Sequence, residues 1–242
     1  MKASQSAQDQ LLALQQIDSD LIQLEHKIKN LPLAAQLDAA SASLTGARNL
    51  LIAAETEKSD IKHELSKSEV DVEQVVSRIE KDEKRLAAGT GSPKELEQIQ
   101  HELGSLSKRR SELEEVELEI MVRIEGLDER IKSLTLEVSN WESEVARLKT
   151  QLDSEILELN TAKSRDSEAR LELAKLIDAD LLQLYEKIRS TSDGVGAARL
   201  VGDKCEGCHL TMNSAEVTRI KSLPDDELVR CEECRRILIR VK

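Results

Sequence analysis

Four cysteines stand in two pairs, Cys205 with Cys208 and Cys231 with Cys234. Two residues separate the members of each pair, and 22 residues separate the pairs. A pair spaced this way puts two thiolates on one tight turn. Two such turns supply the tetrahedral set that Zn2+ takes at about 2.3 Å per sulfur. Four thiolates fill the sphere, so the spacing predicts one structural zinc and no open position for a water nucleophile. Other readings of these residues fit less well. Cys205-Glu206-Gly207-Cys208-His209 has the form of a c-type haem attachment string, but that reading leaves Cys231 and Cys234 without a role. Haem attachment also needs export, and the first ten residues, MKASQSAQDQ, hold no apolar run. A redox pair would open a helix in a strand–helix–strand unit, and no such unit can be read here. His209 offers another donor, but four cysteines suffice.

No other grouping suggests chemistry. There is no Ser/His/Asp set, phosphate loop or paired-carboxylate signature. His26, His63 and His101 lie far apart and near no second ligand, so they read as surface residues. The expectation is a protein that is not an enzyme, with no catalytic residue and no cofactor beyond zinc.

The elements that must position the cysteines can be read around them. Residues 197–242 carry short strand-like runs at 198–201, 228–230 and 237–241. Asn213 is placed to cap a short helix running to about Lys221, with Glu216 three residues on and Pro224 ending the segment. About forty residues without an aromatic cannot build a core alone, so metal binding must supply much of the folding energy. This is a zinc ribbon with one helical insertion. Ser190–Gly196 reads as the linker before it.

The rest of the chain is a different material. Of 242 residues 34% are charged and 1% aromatic, with no Phe, 9 Gly and 3 Pro. That excludes an ordinary aromatic core and a many-stranded sheet, and it fits long helices. Apolar residues step by three and four from Leu14 to Leu31, where Pro32 predicts a kink or break. A second series runs from Leu44 to Leu86, interrupted at Lys58, Ser68 and Asp82. A third runs from Leu96 to Leu152, interrupted at Arg110 and Glu117, with Trp141 on its seam as a core residue. The helical pattern weakens near Asn160 and returns from Leu171 to Ile188, where Tyr185 reads as packing at the junction with the ribbon. Between the second and third series lies Ala87-Ala88-Gly89-Thr90-Gly91-Ser92-Pro93, a stop signal that ends in a helix cap. A strict seven-residue repeat on both sides of a short turn predicts a left-handed antiparallel coiled coil. The register would place residue 44 opposite about 138, and 14 opposite about 168. The fold class expected is mainly α. Residues 1–190 form a long hairpin with its tip near 87–94, and 197–242 form the ribbon. No stretch approaches the roughly 18 apolar residues of a membrane span. The first residues hold no apolar run and the cysteines all lie between 205 and 234 rather than spread as a disulfide framework, so the expected location is a reducing cytosol.

Three stretches resemble a bacterial family that joins a coiled-coil hairpin to a C-terminal four-cysteine zinc ribbon. Gly91-Ser92-Pro93-Lys94-Glu95-Leu96 with Ile99-Gln100-His101-Glu102 is similar to that family's tip. Residues Asp180 to Arg189 resemble its pre-ribbon helix, and Cys205 to Leu238 its ribbon. Arg235 departs from the pattern, which has Gly there; a left-handed backbone would cost a non-Gly residue about 1 kcal/mol. The resemblance implies a non-enzymatic role. It also implies links to RNA or other nucleic acid, and to regulatory partners such as an alternative sigma factor or flagellar and secretion components.

Charge suggests where a partner would bind. The chain carries −12 overall, yet residues 78–110 hold eight basic and six acidic residues. Lys84, Arg85, Lys94 and Arg109 are the tip candidates for contacting an acidic partner or phosphates. In the ribbon, Arg230, Arg235, Arg236, Arg240 and Lys242 cluster near the second cysteine pair. They are candidates for gripping phosphate, or for offsetting the negative charge of a four-thiolate zinc centre. Without aromatics the ribbon has no stacking platform for single strands. The leading expectation is a cytosolic adaptor or regulator that binds protein partners through its arm. The alternative is a nucleic-acid-binding protein that uses the ribbon's basic edge.

Overall fold

In the computed structural model, residues 1–240 are described; Val241 and Lys242 lie outside the described residues. Apolar heptads and strong caps give α1 (Gln5–Lys29), α2 (Pro32–Ala87), α3 (Pro93–Ala174) and α4 (Ala179–Thr191). The ribbon adds β1 (Ala197–Val201), β2 (Lys204–Cys205), α5 (Ser214–Ser222), β3 (Val229–Arg230) and β4 (Ile237–Arg240). Pro32 produces a break rather than a kink: Asn30 caps α1, and Pro32 is the first residue of α2. The weakened pattern near Asn160 does not interrupt α3, because the residues there still favour helix even where few are apolar. The helix ends at Ala174, and Asp178 caps α4 by accepting from the Asp180 and Leu181 N–H groups.

The chain divides into two compact units, Gln36–Leu148 and Met1–Ala35 with Lys149 onward. This division cuts through α2 and α3 rather than falling at the linker before the ribbon.

The first unit is the hairpin seam. Leu44, Ala47, Ala54 and Ile61 of α2 are buried, as are Ile99, Leu113, Ile120, Leu127, Leu134 and Leu148 of α3. Trp141 is half-buried at its seam position. Cross-arm ion pairs flank the seam: Arg48 with Glu142 at 2.6 Å, Glu64 with Arg123 at 3.1 Å, Arg78 with Glu102 at 2.9 Å, and Lys58 with Asp128. Each exposed pair adds only about 0–1 kcal/mol, but together they fix the antiparallel register. Asp82 does interrupt the apolar seam, yet it is buried and held between Arg78 at 3.2 Å and Arg85 at 3.8 Å. Arg110 instead turns out to solvent beside Glu114 at 2.7 Å. At the tip, the Ser92 N–H donates to Glu95 at 2.7 Å and the Glu95 N–H donates back to Ser92 Oγ at 3.4 Å, the expected capping box.

The second unit joins helices to the ribbon. Its sheet has the order β2-β1-β4-β3, with β1 parallel to β4 and the outer pairs antiparallel. Strand period does the joining. Ile237 and Ile239 of β4 face Leu11, Leu14, Leu181, Tyr185 and Ile188 of the helices. Leu238, between them, faces the opposite way, toward Cys205, Cys231, Val217 and Ile220. The first residues add a further tie that composition did not suggest. The Ala3 N–H donates to Asp226 O at 2.8 Å, the Leu228 N–H donates to Met1 O at 3.1 Å, and Lys2 pairs with Asp226 at 2.9 Å.

Tyr185 is fully buried where the helices and the ribbon's linker meet. Its hydroxyl donates to Asp18 at 2.7 Å and lies 3.2 Å from Gln15 Oε1, which also accepts from the Gly196 N–H at 2.7 Å. Gly196 is required there, because a Cβ would lie 2.7 Å from the Tyr185 ring. Burial, and then the Asp18 carboxylate, push the phenol's pKa up from 10.0. The folded group stays neutral where the unfolded one ionises. The stabilisation is therefore full below pH 10.0 and is lost as pH rises beyond it. In denaturant titrations across that range, the wild type should lose stability more steeply than Tyr185→Phe. Parallel alkaline limbs would show that Tyr185 contributes nothing to them.

Candidate metal centre

Each cysteine pair sits on a backbone turn of the same design. In the first, the Cys205 N–H donates to Leu210 O at 3.1 Å and the His209 N–H donates to Cys205 O at 2.7 Å. In the second, the Cys231 N–H donates to Arg236 O at 3.0 Å and the Arg235 N–H donates to Cys231 O at 3.0 Å. The residue after each second cysteine is left-handed, His209 at φ 60° and Arg235 at φ 62°. Arg235 therefore adopts the conformation expected of a glycine position. The turn keeps its shape, and the hydrogen bonds around it hold the residue there. Inside the first turn Gly207 is needed for space, since a Cβ would lie 2.7 Å from Arg236 Cδ and 2.9 Å from Ala198 Cβ.

These turns bring the four sulfurs together. All four Sγ atoms lie within 4.8 Å of one another, and the cross-pair distances Cys205–Cys234 and Cys208–Cys231 are both 3.9 Å. A tetrahedral zinc with ~2.3 Å bonds sets its sulfurs about 3.8 Å apart, so the donor set fits. Cys205 and Cys231 are buried, while Cys208 and Cys234 are half-buried. Burial pushes the Cys205 thiol up to about 12 and raises Cys231 as well. Burial also acts upward on Cys234, but the Arg236 N–H and the neighbouring thiols outweigh it and draw that thiol down. The metal must displace protons to bind, and it then supplies the centre of a cluster with Ala198, Leu200, Met212, Val217, Ile220, Val229 and Leu238 around it. The chain holds one structural zinc, in a sphere that protein sulfurs close. His209 is exposed and outside the sulfur cluster.

The arginines near the centre divide into two groups. Arg236 donates to Val195 O at 3.0 Å, Gly207 O at 2.6 Å and Ser192 O at 3.0 Å, fastening the linker to the first turn. Arg240 donates to Ile220 O, Leu223 O, Pro224 O and Glu227 O, closing the C-terminal end of α5. These two were candidates for phosphate, and in the structure their guanidinium groups hold backbone carbonyls. Arg230 is exposed and donates to Arg235 O at 2.9 Å, and Arg235 is exposed. Of the tip candidates, Lys84 lies 3.9 Å from Glu80 and Arg109 lies 3.7 Å from Glu112. Arg85 borders buried Asp82, and Lys94 is exposed.

Sequence reasoning missed a polar cluster elsewhere in the same compact unit. Asp18 is buried and accepts from Arg170 Nε at 2.6 Å, with Arg189 at 3.6 Å and the Tyr185 hydroxyl beside it. Arg170 also reaches Glu186, and the hydrogen bond to Asp18 raises its already high pKa. A polar stripe at Gln8, Gln15 and Asp18, alongside Leu11, was the available signal.

Comparison with known proteins agrees with this geometry. Residues 14–193 match the CT398-like coiled coil hairpin domain, and residues 204–238 match a C4-type zinc ribbon domain. A Mycobacterium tuberculosis protein is 31% identical over 242 residues, covering 100% of this chain and 98% of its own. A solved structure from Mycobacterium smegmatis superposes with a TM-score of 0.85 at 33% identity, with 100% of both chains covered. CT398 from Chlamydia trachomatis has the same fold, with a TM-score of 0.68 at 23% identity and 98% of both chains covered.

Proposed function

The chain belongs to the CT398-like coiled-coil hairpin family, and within that fold we propose that it is a non-enzymatic adaptor or regulator of the bacterial cytoplasm. In this reading the ribbon is a fixed base, and the hairpin tip captures a protein partner. The observation that carries it is charge. Residues 78–110 hold two more basic than acidic residues, in a chain of net −12. Lys84, Lys94 and Arg109 are exposed there. The closed four-sulfur sphere supports the non-enzymatic part, because it leaves no ligand position for substrate. No helix among the described residues is long and apolar enough to cross a membrane.

The test compares two variants in affinity purification from the native host, with and without nuclease. Lys84→Glu with Lys94→Glu and Arg109→Glu should abolish recovery of the partner. Melting should hardly change, since exposed charges contribute about 0–1 kcal/mol each. Arg85 is left alone because it borders buried Asp82. The second variant changes Arg230 and Arg235 to Glu, sparing Arg236 and Arg240, which hold backbone carbonyls. If only this variant loses its partner, and nuclease has the same effect, binding belongs to the ribbon edge and the ligand is nucleic acid.

A further inference from the structure

We propose that the outer face of α3 at Leu118 and Val122 is a second docking site, separate from the tip, for a basic amphipathic helix of a partner protein. Ile120 and Ile124 take the seam positions here, so Leu118 and Val122 point away from it, four residues apart on one face. They are 62% and 67% exposed, and Met121, one turn on from Leu118, is 43% exposed. An exposed valine on a charged helix is a poor choice for the helix itself. With Glu115, Glu119 and Arg123, the two side chains line a shallow hollow of about 380 Å³.

The charge around this hollow selects the occupant. Residues 111–130 hold eight acidic and two basic residues. Both basic ones face the other arm, Arg123 toward Glu64 at 3.1 Å and Arg130 toward Glu57 at 3.9 Å. Glu112, Glu114 and Asp128 are matched by Arg109, Arg110 and Lys58, but Glu115, Glu117, Glu119, Glu125 and Glu129 have no ion pair among the described residues. The hollow is therefore apolar at its centre and net negative at its rim, where Glu115 and Glu119 outnumber Arg123, itself paired with Glu64. A helix with an apolar stripe flanked by Lys or Arg satisfies both. A second copy does not: a two-fold contact would set these acidic rims against each other. An anionic lipid surface would repel them too.

The probe is a fluorescein-labelled helix of about five turns, 18 residues, with Leu at i, i+3, i+4 and i+7 and Lys on either side. It is titrated into the full zinc-loaded chain. The wild type should bind it, and added salt should weaken the binding. Leu118→Ser with Val122→Ser should weaken it by at least about tenfold, and Glu115→Gln with Glu119→Gln should weaken it and flatten the salt dependence. Leu136→Ser, at another exposed apolar position of α3, should bind as the wild type does. Circular dichroism should give each variant the wild-type helical signal. Three results would overturn the proposal: the Leu118/Val122 variant binding as well as the wild type, a Glu-flanked version of the peptide binding equally, or sedimentation showing wild-type self-association that this variant abolishes.

Discussion

Stripping the metal should unfold residues 197–240 and loosen α1 and α4, while the seam between residues 36 and 148 keeps its helices. The ribbon's inner cluster is built around Cys205 and Cys231, with no aromatic to replace the metal as its centre. Structural zinc binding is worth on the order of 10–16 kcal/mol in small peptides, more than such a module's whole stability. The effect must spread to α1 and α4, because Ile237 and Ile239 fill the space between Leu11, Leu14, Leu181 and Ile188. It need not reach Ile61, Ile120 and Leu127, which pack among themselves. Elemental analysis should find one zinc per chain before chelation, and Cys231→Ser should behave as the chelated protein does. Acid should release the metal as well, because protons compete with it for the four thiolates. Hydrogen exchange is the measurement. Ribbon amides that stay protected without metal would refute the prediction, as would loss of protection along the whole hairpin.

Asp18→Ala should cost about 3–5 kcal/mol in the same unit, the range seen when one partner of a buried ion pair is removed. The carboxylate is 2% exposed and serves Arg170, Arg189 and Tyr185 together. Without it, two partly desolvated guanidinium groups are left to share Glu186 as their one carboxylate partner among the described residues. Asp18→Asn should cost less, because it keeps an acceptor for the Tyr185 hydroxyl. The readout is protection of the α4 amides. A shift for Asp18→Ala below about 1 kcal/mol would put this cluster with ordinary surface pairs.

The parts legible in the sequence were those with a strong local rule. Heptads placed the seam at Leu44, Ile61, Ile120 and Leu134, and Ser92 with Glu95 marked the tip. The spacing of Cys205, Cys208, Cys231 and Cys234 gave the metal. Asn213 and Pro224 bracketed α5. What could not be read depends on tertiary surroundings. Arg236 looks like any surface cation until the fold brings the Ser192, Val195 and Gly207 carbonyls within its reach. Asp82 on a seam looks like a packing fault until Arg78 and Arg85 bracket it. Asp18 carries no motif, and the residues that explain its burial lie some 150 positions away, Arg170 among them.

The antiparallel stitch between residues 1–3 and 226–228 has a kinetic consequence. Lys2 and Asp226 are 224 positions apart, so closing that contact in a disordered chain would be slow, because contacts so distant in sequence lower folding rates. The hairpin shortens that distance. Its own contacts grow outward from the turn near Gly89 by local zipping, and once Arg48 has found Glu142 the two ends of the arm are side by side. The remaining loop then runs from residue 2 to 48 and from 142 to 226, and because closure entropy grows slowly with length it falls modestly. Folding should therefore begin at the tip and finish at the base. A second, slower phase should report Tyr185 burial, and lengthening the tip loop should delay it without changing the final state.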